Sequence, residues 1–129
     1  MGLNVIDASI SIALMDDTDV LYLASAAAIA SDPADLILPA SAYAETMVRA
    51  HRAGEAADVR DKIDGLGIAI APLSEDMAEE AARLRARFPS LRLGDALVIA
   101  TARLLDADLV LTGDQRWDRI WDRVRVISP

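Results

Sequence analysis

Asp7, Glu45, Asp95 and Asp114 are the side chains whose type and spacing could do chemistry in this sequence. Carboxylates are hard oxygen ligands that suit Mg²⁺ or Mn²⁺. Crowding four of them in a partly dry pocket is costly unless a cation neutralises them. Two divalent ions would do so, would activate water, and would stabilise the leaving oxygen of an in-line phosphodiester displacement. Each acid also has an ordinary reading. Asp7 and Asp95 could cap helices, Glu45 could pair with Arg49 one turn on, and Asp114 could be a turn residue. Four acids brought to one place are harder to explain in this way than any one of them.

The elements that must position these acids are short. Leu3 to Ile6 reads as a buried strand ending at Asp7. Helices follow at Ala8 to Met15 and Asp19 to Ser31, and Asp32-Pro33 precedes a strand at Leu36 to Leu38. Ser41 opens a helix that carries Glu45 to about Arg52, where Gly54 stops it. A further helix, Glu55 to Asp64, ends at Gly65 and Gly67, and a strand covers Ile68 to Ala71. Ser74 caps a polar helix that Pro89 terminates after Phe88, and Asp95 opens an apolar one, Ala96 to Leu105. Leu109 to Leu111 is a strand, Gln115 to Asp122 a last helix, and Val124 to Ile127 a final strand.

Short β-rich runs separated by helices imply a parallel sheet with helices on both faces. The expected fold class is α/β, a three-layer α/β/α sandwich around a central parallel sheet of four to five strands. In such a sheet, ligands bind outside the carboxyl ends of the strands. Asp7 and Asp114 follow strands directly, and Asp95 and Glu45 lie early in helices, so all four are expected at that edge.

Composition narrows the chemistry further. Cysteine is absent, which removes thiolate metal sites, thiol nucleophiles and disulfides. His51 is the only histidine, too few for a His-rich metal cage in one chain. The 129 residues are the size of one domain, 1–129, with a core that needs no staples. A net charge of −8 argues against a passive nucleic-acid binder, which shows a basic face. It is compatible with an enzyme whose bound cations offset clustered acids. Lys62 is the only lysine among 13 basic residues. Arginine suits phosphate contacts, although codon bias accounts for the excess. The start lacks a basic region and the run Leu21 to Ala30 is too short to cross a bilayer, so a cytoplasmic protein is expected.

Four segments together resemble the PIN-domain nucleases, specifically the VapC-like toxins of toxin–antitoxin pairs. Asn4-Val-Ile-Asp-Ala-Ser-Ile resembles the opening strand with the first acid, Asp7. Pro39-Ala-Ser-Ala-Tyr-Ala-Glu-Thr-Met-Val resembles the helix bearing the second, Glu45. Leu91-Arg-Leu-Gly-Asp-Ala-Leu-Val-Ile-Ala-Thr-Ala is the most specific and places the third at Asp95. Val110-Leu-Thr-Gly-Asp-Gln-Arg-Trp resembles the last motif, with Asp114 as fourth acid and Trp117 at its aromatic position. The resemblance implies Mg²⁺- or Mn²⁺-dependent cleavage of RNA with water as nucleophile, a homodimer, and an antitoxin that covers the active-site groove. It also matches Ser9 and Thr112 to small hydroxyl positions that support the acids, positions that local capping and turn roles explain equally.

Other residues are weighed beside these. Arg92 is close to Asp95 in sequence and is a substrate-contact candidate, as is Arg116. Arg116, Arg119 and Arg123 are expected on one helix face, where they could hold RNA phosphates or pair with Asp118 and Asp122. Asp118 reads as a solvated helix acid, and His51 as a surface histidine. Arg83 and Arg87 are expected to face Glu79 and Glu80. The apolar face of Leu21 to Ile29 exceeds what a small core requires, so it belongs to the core or to a partner. The rival functions are a housekeeping RNA-processing nuclease, a phosphotransfer domain of receiver or haloacid-dehalogenase type, and a non-enzymatic binding module. Phosphotransfer would want a lysine near the acids, and Lys62 falls within a helix remote from them in sequence.

Overall fold

The computed structural model describes residues 2–129. Five strands form one sheet: β1 (Leu3–Ile6), β2 (Asp35–Pro39), β3 (Ala69–Ala71), β4 (Leu109–Thr112) and β5 (Val124–Val126). Their order is β3-β2-β1-β4-β5, and every neighbouring pair is parallel. Six helices connect them: α1 (Ala8–Met15), α2 (Tyr22–Ala30), α3 (Ala40–Arg52), α4 (Ala56–Gly65), α5 (Glu75–Arg87) and α6 (Leu93–Leu104). A 3-10 helix, Gln115–Arg119, lies between β4 and β5. The expected α/β class with a central parallel sheet is what forms. Because parallel crossovers are right-handed, α1 to α4 go to one face and α5 and α6, on the return path, to the other.

The central position of β1 follows from its residues. Val5 and Ile6 are fully buried, as an uninterrupted apolar run must be when helices cover both faces. The chain leaves β1 for β2 and β3 on one side, then crosses over to β4 on the other. The reversal opens a crevice between β1 and β4 at their carboxyl ends, the usual ligand position in such sheets. Asp7 directly follows β1 and Asp114 lies just beyond β4.

Helix ends follow local chemistry. The Ser74 hydroxyl accepts from Met77 N–H at 3.1 Å, and acids in the first turn of α5 with arginines in its last complement the helix dipole. After α3, Gly54 takes φ 70° and Glu55 N–H reaches back to the Ala50 carbonyl, a Schellman closure. Asp106 closes α6 in the same way at φ 52°, a conformation that aspartate tolerates better than most residues.

Three boundaries differ from those expected by more than a residue. α2 starts at Tyr22, because the Asp19 carboxylate accepts from Leu21 N–H at 2.9 Å and holds a turn there instead. α6 starts at Leu93 with Arg92 as its cap, so Asp95 lies in the first turn and is not the capping residue. The last helix is a 3-10 turn ending at Arg119 rather than an α-helix to Asp122. The chain must turn at Trp121 to bring Val124 alongside Val110. Among the described residues, no helix is long and apolar enough to cross a membrane.

Candidate active site

Asp7 is the anchor of the site. Only 8% of its surface is exposed, and burying a carboxylate demands hydrogen bonds. Ala8 N–H donates to Oδ1 at 2.8 Å. The hydroxyls of Ser9 and Thr112 both donate to Oδ2, each at 2.9 Å. Both hydroxyls also accept, Ser9 from Gly113 N–H at 3.0 Å and Thr112 from Asp114 N–H at 3.1 Å. Ser9 and Thr112 therefore tie the end of β1 to the turn that carries Asp114. The capping reading of Asp7 is correct as well, since the same carboxylate caps α1.

The other acids lie within electrostatic reach of Asp7 or of one another. Desolvation by burial raises the pKa of Asp7, and the charge of Asp95 adds to it. Glu45 is raised by burial first, then by the charges of Asp7 and Asp95. Asp95 is raised by burial and by Asp114, against the pull of Arg92. Mutual repulsion of this kind requires proximity. Asp114 is the exception: hydrogen bonding from Arg116 lowers its pKa. Among the described residues, no three acidic or histidine side chains lie close enough to hold a metal ion together as they stand. The donor set fits a hard divalent cation by its chemistry, all oxygen and anionic, while Arg116 and Arg92 now supply part of the neutralising charge.

Both arginines pair with acids of the candidate site. Arg116 grips Asp114 through Nη2 at 2.6 Å and Nε at 3.0 Å. Arg92 Nε lies 3.4 Å from Asp95 Oδ2. Glu45 does not pair with Arg49, which reaches Asp16 at 3.5 Å instead. The expected face of three arginines does not form: Arg123 lies beyond the 3-10 helix and binds Asp106 at 2.8 Å and the Ala107 carbonyl at 2.9 Å. Asp118 is exposed, as is His51 in the last turn of α3. Arg83 pairs with Glu80, whereas Arg87 lies over the Phe88 ring.

The sequence profile of the PIN domain family matches residues 5–122. The chain belongs to the PIN domain family. No curated protein is similar enough to match, but solved structures of this fold are. A chain of a toxin–antitoxin complex from Klebsiella pneumoniae superposes with a TM-score of 0.82 at 23% identity, covering 95% of this chain and 96% of that one. VapBC2 of Rickettsia felis, bound to a promoter DNA fragment, gives 0.76 at 14% identity over 98% and 99%. VapC20 of Mycobacterium tuberculosis, a toxin that cleaves the sarcin–ricin loop, gives 0.70 at 17% identity over 83% and 86%. At these identities the likeness establishes the PIN fold.

Two features of this PIN domain escape a reading of the sequence alone. A Cβ on Gly94 would come within 2.8 Å of Glu45 Oε1, so the bare backbone there lets α6 approach the acid on α3. Ser11 and Thr46 share a buried hydrogen bond of 2.6 Å, which clamps α1 to α3 beside Glu45. The signal available for Gly94 was a glycine in the first turn of a helix, where it lowers helix propensity.

Proposed function

We propose that residues 1–129 act as one metal-dependent endoribonuclease domain, the toxin of a toxin–antitoxin pair. One observation carries this reading. Asp7, Glu45 and Asp95 come from three separate parts of the chain, and each is raised in pKa by burial and by the charge of another of the four acids: Asp7 by Asp95, Glu45 by Asp7 and Asp95, and Asp95 by Asp114. A protein tolerates such repulsion where a cation is to be received. Asp7, Glu45, Asp95 and Asp114 would hold Mg²⁺ or Mn²⁺. When bound, the ions supply an activated water and stabilise the departing oxygen.

The chain's own residues do the rest. Ser9 and Thr112 hold the Asp7 carboxylate in one orientation, and the Ser11–Thr46 clamp keeps the Glu45 helix in place. Gly94 leaves room for Glu45 to face Asp95. Arg92 and Arg116, exposed at the rim, are suited to gripping phosphates of the RNA strand. The partner is an antitoxin protein, as the names of the structural relatives indicate for them. Val20 and Leu23, 77% and 79% exposed, are apolar enough to serve a homodimer or that partner. An RNA substrate puts the reaction in the cytoplasm. The phosphotransfer alternative is weakened by Lys62, which is exposed on α4 and acts on Asp16 rather than on the four acids.

The test is cleavage of labelled single-stranded and structured RNAs with Mg²⁺, with Mn²⁺ and with EDTA, alongside Asp7→Asn. Metal-dependent cutting that Asp7→Asn abolishes is expected. Cutting that persists equally in the variant or in EDTA would overturn the assignment.

A further inference from the structure

A second recess opens beside the acids, between the turn joining α5 to α6 and the 3-10 helix. Its volume is about 270 Å³, and its lining includes Arg87, Phe88, Asp95, Arg116, Trp117 and Arg119. Asp95 and Arg116 therefore belong to both sites. The recess is basic on a chain whose net charge is −8: three arginines face one acid. Arg116 is held by Asp114, but Arg87 and Arg119 have no carboxylate partner among the described residues. Arg87 lies over the Phe88 ring, 5.3 Å from its centroid, so one wall holds a guanidinium and an aromatic ring side by side. Trp117, only 1% exposed, packs beneath the recess and joins it to the core.

We propose that this recess seats the nucleotide next to the phosphate to be cut, and thereby selects where the strand is cleaved. The inference rests on the nuclease reading above. Single-stranded RNA is recognised by stacking unpaired bases on aromatic rings or arginine planes, with cations on the adjoining phosphates. The recess combines those elements. A phosphate placed at the acids leaves the neighbouring base within reach of the Arg87–Phe88 wall, and Arg119 at the rim suits the next phosphate. Specificity then comes from the base that stacks and fits, while Arg119 adds affinity without sequence preference.

The test uses the metal-loaded protein and a pool of random-sequence RNA 12-mers, with cut positions mapped by sequencing. Steady-state kinetics on one preferred oligomer are measured at several salt concentrations. Arg119→Ala is expected to raise KM roughly tenfold, leave kcat little changed, and lower the salt slope by about 0.7, the contribution of one single-strand phosphate contact. Phe88→Leu is expected to flatten the base preference at one position beside the cut. Arg87→Ala, at an exposed side chain, makes the same test without touching the core. Unchanged KM, salt slope and cut preference in the arginine variants would overturn the inference and leave the nuclease standing. Variants that lose only binding of a protein partner, with RNA kinetics intact, would give the recess to that partner and equally overturn it. A wild-type protein that cuts nothing in the pool would overturn the nuclease reading, and this inference with it.

Discussion

Arg116 holds Asp114 with two nitrogens, Nη2 2.6 Å from Oδ2 and Nε 3.0 Å from Oδ1. A cation supplied by the chain itself thus occupies one of the four candidate ligands. If a divalent ion binds there, it competes with this guanidinium. Arg116→Gln is expected to bind Mn²⁺ about two- to fivefold more tightly, the range of an exposed ion pair. Isothermal titration of the RNA-free protein measures this. Unchanged or weaker Mn²⁺ binding would show that Arg116 does not compete for Asp114.

Gly94 separates stability from function. A methyl group there meets the mobile end of Glu45 rather than backbone, so Glu45 must move. The alanine itself favours the helix by about 0.5–1 kcal/mol. Gly94→Ala is therefore expected to melt at or above the wild-type temperature while losing roughly tenfold or more in RNA cleavage rate. A thermal melt paired with a cleavage assay decides it. Full activity would show that the approach of Gly94 to Glu45 is dispensable.

The raised carboxylates set the pH dependence of the metal-free fold. Burial and mutual repulsion lift Asp7, Glu45 and Asp95 above their ordinary 3.8, 4.5 and 3.8. The folded chain then binds protons more tightly than the unfolded one. Stability therefore falls as pH rises from the ordinary values through the raised ones, and stays lower above them. Asp114, held low by Arg116, acts oppositely, and its contribution is lost only as pH falls below the ordinary range. Metal-free protein is expected to lose stability as pH rises out of the ordinary carboxylate range toward neutrality, with Mn²⁺ narrowing the loss. Calorimetry with and without EDTA would refute this if stability rose instead.

Asp95→Asn removes one of the repelling charges while keeping the shape. Its loss of the exposed Arg92 contact is small. The variant is expected to gain about 1 kcal/mol in metal-free stability, because the buried repulsion is relieved, and to lose stabilisation by Mn²⁺. Denaturant titration at neutral pH reads both effects, and a destabilised variant that still responds to Mn²⁺ would contradict them.

Thr112 tunes Asp7 through its hydroxyl, which lowers the Asp7 pKa against burial. Thr112→Val leaves that carboxylate with one donor fewer and Asp114 N–H without its acceptor. A stability loss of about 1–3 kcal/mol is expected, with the Asp7 pKa moving further up. Carbon-detected NMR titration of the Asp7 carboxyl follows the second effect. An unshifted titration would show that the hydroxyl is only a structural tie.

Much of this architecture is local and therefore legible in the residues. The Ser74 cap, the Gly54 stop and the buried run of β1 each depend on neighbours a few positions away, and each stands where expected. The acids after β1 and β4 are legible for the same reason, because parallel strands must end where their connections begin. Reading failed where a short connection overrode helical pattern, as at Trp121, or where a side chain took over a turn, as at Asp19.

Sequence by itself determined the parallel α/β sandwich, the family, and the four acids as candidates. Tertiary structure alone decided that β1 lies between β2 and β4 and that Thr112 holds Asp7. It likewise decided that Arg116 neutralises Asp114, that Gly94 admits Glu45, and that Arg87, Phe88 and Arg119 share a recess with Asp95. The division has a physical cause. Helices and strands are chosen by hydrogen bonds and packing preferences repeating over a few residues. Charge coupling, pairing and cavities depend on distances through space between residues that the chain order leaves far apart.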